Sequence, residues 1–292
     1  LRERAFDRFI AIDWSGAAGR RHRAIEVAEC APGRDAPVRV APPGGCWSRE
    51  AVLAFVTAQA GTRALIGFDF SFAPPYLDRG HYLPGCPHQT APAFWAFVDA
   101  EAPDEDLGAA RLVETALRPH FYFGASCGAR APFARLRRCE AQVRRHGLGT
   151  PSSLFVCIGS SQVGKASLAG MRLLHRLRAS GIAVWPFDPL PARGPVVVEI
   201  FPRLFIRRAL AGHGGRANGK IASRDSLNRA LGQLGADPAD PARPLTRADN
   251  HLADALVSSA GLRHLAEDPR VWQPDGLTPT IARTEGWIFG VA

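Results

Sequence analysis

Hydrophobic positions in this chain fall into short apolar runs that end on acids and longer stretches with helical spacing. The first run, Phe9-Ile10-Ala11-Ile12, leads straight into Asp13. It is too short for a helix and matches a buried strand that carries Asp13 to its C-terminal end. Ala64-Leu65-Ile66-Gly67-Phe68-Asp69 and Pro195-Val196-Val197-Val198-Glu199 repeat the pattern. A carboxylate is costly beside an apolar strand unless it meets a charged partner, and α/β proteins place ligands at the ends of central strands. Three acid-tipped strands point to one shared site.

Between the first two runs, Arg23 to Glu29 alternates with period two, and Pro37 to Val40 reads as a short third strand. Short connections between these strands predict an antiparallel meander. Ser48, Glu50 and Ala51 open a helix to about Ala60, and the strand ending at Asp69 follows. From Ser71 to about Thr150, Pro74, Pro75, Pro84, Pro87 and Pro92 predict irregular chain, followed by Phe94-Trp95-Ala96-Phe97 and a helical stretch from Leu107 to Leu117. We read about 71–150 as an insertion within a single domain spanning 1–292. Beyond it the pattern predicts a strand from Ser153 to Ile158, a helix from Ser167 to Arg178 and a strand within Gly181–Phe187. The strand ending at Glu199 and a Pro202-started helix to about Leu210 follow, then a Gly-rich loop over Gly212–Gly219. Helices over Ser223–Leu234 and Ala248–Leu265 and a closing strand over Glu285–Val291 complete an α/β chain with a mixed sheet.

Composition narrows this picture modestly. The 292 residues, 46% hydrophobic and 22% charged, suit one elaborated globular domain. No apolar run approaches a membrane span, and Asp13 interrupts the only one near the charged N-terminus, so a cytoplasmic location without membrane attachment is expected. The formal charge of +9 rests on arginine, with Lys165 and Lys220 as the only lysines. Arginine suits phosphate recognition, whereas a genomic arginine bias accounts for the same count without function. Arg135, Arg137 and Arg138, near Phe133 and Leu136, form a candidate phosphate-contacting lobe, against a solvated helix with an apolar stripe. The six cysteines form no Cys-x-x-Cys pair, and the irregular spacing around Cys86-Pro87-His88 argues against zinc.

The last long helix carries Asp249-Asn250-His251-Leu252-Ala253-Asp254. His251 and Asp254 share a helical face, as do Asn250 and Asp254, whereas Asp249 lies round the helix and suits a cap. Asp13, Asp69, Glu199 and Asp254 therefore form a candidate carboxylate cluster. Clustered carboxylates repel unless cations lie between them, and oxygen-rich sites favour Mg²⁺ or Mn²⁺. Two such ions support in-line attack of water on a phosphodiester, with His251 ligating a metal or positioning the nucleophile.

The order of elements, with acids on the first strand, the fourth strand and the last helix, resembles the ribonuclease H-like fold, and His251-x-x-Asp254 is similar to the end of RuvC-type nuclease sites. The phrases Ala11-Ile12-Asp13-Trp14-Ser15-Gly16, Ile66-Gly67-Phe68-Asp69, Gln162-Val163-Gly164-Lys165, Val198-Glu199-Ile200-Phe201-Pro202, Asp249 to Leu256 and Glu285-Gly286-Trp287-Ile288 resemble the uncharacterised DUF429 family. That family is described as predicted ribonuclease H-like nucleases. The resemblance implies this fold, with Asp13, Asp69 and Asp254 as first ligands, Glu199 and His251 assisting, and a DNA or RNA substrate. A nucleic-acid-binding protein that keeps the fold without catalysis is one alternative, and a sugar-kinase or actin-like ATP-dependent phosphotransferase is another.

Two other patterns point elsewhere. Gly159-Ser160-Ser161-Gln162-Val163-Gly164-Lys165-Ala166 resembles a P-loop, but Ala166 stands where Mg²⁺ requires Ser or Thr, leaving Lys165 or the helix N-terminus as a substrate-phosphate contact. Asp13-Trp14-Ser15-Gly16 resembles the start of sugar-kinase and actin-like ATP sites, with its glycine one residue late.

Overall fold

The computed structural model describes residues 6–158, 161–211, 221–241, 245 and 250–292. The Gly-rich loop, Lys220, the Asp249 cap and the helix start at Ala248 lie outside these residues, as do Gly159 and Ser160. Six strands form one mixed sheet: β1 (Arg8–Asp13), β2 (Glu26–Cys30), β3 (Val38–Arg39), β4 (Ala64–Phe68), and two that follow later. The later pair is Ala183–Val184 and Val196–Glu199, and between them and β4 lies a small separate hairpin of Cys157–Ile158 and Ser161–Gln162. In chain order the hairpin strands are β5 and β6, and the late sheet strands β7 and β8. The sheet order is β3-β2-β1-β4-β8-β7. β2 runs antiparallel to β1 and β3, whereas β1, β4, β8 and β7 are mutually parallel. The expected combination of a meander and parallel strands is therefore present.

Period two decides which face each residue serves. Ile10, Ile12, Ile66, Phe68 and Val197 turn to one face, where they meet α1 (Arg49–Thr57), α2 (Ala91–Glu101) and the long helix Val163–Ala179. Phe9, Ala11, Leu65, Val196 and Val198 turn to the other, under the helices Pro202–Leu210, Arg224–Gln233 and His251–Leu265. With the intervening helices Ala110–Glu114 (α3) and Arg138–Arg145 (α4), these four become α5, α6, α7 and α8. Ser48 caps α1, its side chain accepting from Ala51 N at 3.0 Å. No helix among the described residues is long and apolar enough to cross a membrane.

The proline-rich segment is more ordered than its composition predicts. Pro92 lies in the first turn of α2, where a missing N–H costs nothing, and Thr90 caps the helix. Tyr82, Phe94, Trp95 and Phe121 are buried in the same apolar cluster as Ile10 and Ile66, so this segment completes the core. Three expectations change. Only Cys157 and Ile158 of the predicted Ser153–Ile158 strand pair as β5, because Phe155 O and Cys157 N bond Tyr122 instead. α5 starts at Val163, ahead of the expected Ser167. The predicted closing strand is reduced to one bridge, Ile288 to Glu199, because Gly286 and Gly290, at φ +69° and +96°, turn the chain.

Candidate functional site

The parallel register brings the acids together. Ile12 pairs with Phe68 and Phe68 with Glu199, so Asp13, Asp69 and Glu199 emerge side by side at one sheet end. Asp69 N donates to Ile12 O at 3.1 Å, which extends the pairing by one residue. The N-terminus of α8 reaches the same end, and a cavity of about 700 Å³ is lined by Asp13, Asp69, Glu199, His251 and Asp254.

Each carboxylate has a different environment. Asp13 Oδ1 lies 3.0 Å from His251 Nδ1. Asp69 is enclosed by protein but open to the cavity, and its carboxylate has no hydrogen bond or ion pair among the described residues. Burial, and then the charges of Asp13, Asp254 and Glu199, hold its pKa well above the usual carboxylate range. Asp254 Oδ2 accepts from Asn250 Nδ2 at 2.6 Å, while Oδ1 is buried without a hydrogen-bond partner among the described residues. Burial and Asp13 push the Asp254 pKa up to about 7. An unpaired buried acceptor and two suppressed ionisations describe a site short of positive charge.

Glu199, expected among the metal ligands, is engaged by protein instead. Both its oxygens bond the Arg137 guanidinium, and Oε2 also accepts from Phe72 N at 2.9 Å. Arg137, expected on a substrate phosphate, is 1% exposed and also binds Glu140 and Glu285 O. Its sequence neighbours suggest a surface lobe, but besides nearby Glu140 its partners Glu199 and Glu285 lie far along the chain. Arg135 pairs with Asp78 and stacks over Phe155, and Lys165 pairs with Glu114. Arg138 is exposed, and its backbone N–H donates to Glu285 Oε2 at 2.9 Å.

No family model matches the chain, and no curated protein or solved structure matches it significantly. The site must be read from its own chemistry. Among the described residues, no group of three or more His, Cys, Asp or Glu side chains is arranged to hold a metal ion. The oxygen donors that face the cavity without a cationic partner at hydrogen-bond distance are those of Asp69 and Asp254, with Asp13 beside them under His251.

Several supporting residues escape a linear reading. The Ser15-Gly16-Ala17 loop after β1 is gripped by buried Arg49, whose Nε donates to Ser15 O at 3.0 Å and whose Nη2 donates to Ala17 O. Asp106 anchors that grip: Oδ2 accepts from Arg49 N at 3.0 Å and lies 3.0 Å from His22 Nε2. On the far side Trp14 Nε1 donates to Ala166 O at 3.0 Å, and a Cβ on Gly16 would meet the backbone of Lys165 and Ala166. Gly16 thus allows the loop to pass against α5. Arg203, in the first turn of α6, also lines the cavity. Only the polar break after the β8 run hints at it in the sequence.

Proposed function

We propose that the protein is a divalent-metal-dependent phosphodiester hydrolase acting on DNA or RNA. The observation that carries this reading is the pair Asp69 and Asp254, two cavity-lining carboxylates beside Asp13 whose ionisation is suppressed and which meet no cationic partner at hydrogen-bond distance among the described residues. This donor chemistry fits Mg²⁺ or Mn²⁺, which favour oxygen, and Mg²⁺ is commonly held by one or two carboxylates with the rest of its shell from water and phosphate. A set of three protein ligands is therefore not required.

When bound, such an ion supplies Lewis-acid activation of water and neutralises charge on the leaving oxygen. The chain's own residues prepare the rest. Asp69 and Asp254 would hold the ion, whose charge would offset the burial and mutual repulsion that raise their pKa values. His251 Nδ1, 3.0 Å from Asp13 Oδ1, positions the Asp13 carboxylate; an ionised carboxylate only accepts, so in that state the proton between them would sit on His251. Arg137 neutralises Glu199, leaving its carboxylate as part of the wall. The strand order with reversed β2, and acids at the end of β1, just after β4 and on α8, supports a ribonuclease H-like architecture, and with it the resemblance to the DUF429 family.

A second reading, a nucleic-acid reader without catalysis, draws support from the commitment of Glu199 to Arg137. A labelled panel of single strands, duplexes, RNA–DNA hybrids and four-way junctions, incubated with Mg²⁺, Mn²⁺ or chelator, separates the two. Metal-dependent cutting that disappears in Asp69→Asn supports hydrolysis. Tight binding without cutting by the parent supports the reader.

A further inference from the structure

We propose that Arg203 is the seat for the substrate's phosphate in this cavity; the inference rests on the hydrolase reading and adds a recognition residue to it. Arg203 is half-buried and lines the same cavity as the acids. It is near enough to Asp69 and Asp254 to favour their charged forms. Yet among the described residues its guanidinium makes no hydrogen bond or ion pair. Arg137, the other arginine lining the cavity, is saturated by Glu140, Glu199 and Glu285 O.

A guanidinium is always charged and presents a planar fork of donors that matches phosphate. Its local setting suits an anion. It occupies the first turn of α6, whose N-cap residue Phe201 contributes no side-chain cap, so the positive end of the helix dipole adds to its charge. Thr150, Pro151 and Ser152 form the adjoining wall, and Arg144 Nη2 fixes that loop by donating to Pro151 O at 2.6 Å. The cavity thus combines carboxylates and a guanidinium that, among the described residues, form no hydrogen bond or ion pair with one another. One ligand answers both: a phosphate group carrying a divalent cation. The acids alone would repel a bare phosphate, which gives Arg203 the task of orienting the group once the cation is present.

The test is calorimetric titration of thymidine 5′-monophosphate, which has no internal phosphodiester to cut, into protein with Mg²⁺. Arg203→Gln should weaken binding by about tenfold or more, and Arg203→Lys by less, because a point charge keeps attraction but loses the fork. Thermal melting should change little in either variant. Equal affinity in the parent and Arg203→Gln overturns the proposal, as does a parent that does not bind the nucleotide. A lower melting temperature with unchanged affinity would assign Arg203 to balancing the acids alone, and would equally overturn it. The two readings can fail separately. A parent that binds through Arg203 but cuts nothing keeps the phosphate seat and removes the hydrolase; a parent that cuts, with affinity indifferent to Arg203→Gln, does the reverse.

Discussion

His251 Nδ1 and Asp13 Oδ1 lie 3.0 Å apart, joining the first residue of α8 to the last residue of β1. The bond fixes a carboxylate lining the cavity from outside its own strand. Asp13→Asn should therefore reduce metal-dependent cleavage by at least about 100-fold, and His251→Ala by about 10–100-fold, the range for partners that orient a metal ligand. Circular dichroism should show both variants folded. Undiminished turnover in Asp13→Asn removes this carboxylate from the chemistry.

Asp254 makes stability depend on pH in an unusual direction. Its native pKa of about 7 lies above its value in the unfolded chain, roughly 3.9. Below both values each state holds the proton and the carboxyl is neutral to stability. As pH rises toward 7 the unfolded chain releases its proton first, so the native state loses ground, and the penalty is complete above 7. In chelator, urea unfolding at pH 5 and pH 8 should show the parent losing more stability than Asp254→Asn, by on the order of 2–4 kcal/mol. Parallel pH profiles for the two proteins would contradict this assignment.

Arg137 is held by Glu140 and Glu199 in a buried cluster. Arg137→Met leaves both acids buried without their cation and should cost about 3–5 kcal/mol, read as a fall in the urea midpoint. Adding Glu199→Gln should recover part of that loss, because one buried charge is then removed. A purely surface role for Arg137 predicts no change in either protein.

Gly16→Ala tests the close approach of the Asp13 loop to α5. The added methyl group meets backbone atoms of Lys165 and Ala166, which have no rotamer to yield. Overpacking of this kind costs about 1–3 kcal/mol, and here it also shifts the loop beside Asp13. Chemical denaturation and a cleavage assay should both register the change, whereas Gly61→Ala, with open space around it, should be close to silent.

The legible parts of the sequence were those written in local pattern. The Asp13, Asp69 and Glu199 strands, the Pro202 helix and the His251–Asp254 face follow from periodicity over a few residues. Illegible parts depended on partners far along the chain. Nothing near Arg137 announces Glu199, 62 positions away, and nothing near Arg49 announces Asp106. Pro92 misled because proline breaks a helix interior but suits a first turn, and only the Thr90 cap separates those cases. The Glu285–Val291 strand failed on two glycines whose left-handed geometry outweighed their apolar neighbours.

The bond between Arg137 and Glu199 has a consequence for how the molecule can be divided. Arg137 belongs to the stretch that looks added in the sequence, while Glu199 ends a central strand. Deleting 71–150 would thus not yield a trimmed catalytic half, because it would leave Glu199 buried at the end of β8 without its cation. Folding of that stretch and closure of the sheet should therefore be coupled. A single protease cut between the two should then loosen both, and the protein should melt as one unit rather than shed a dispensable appendage.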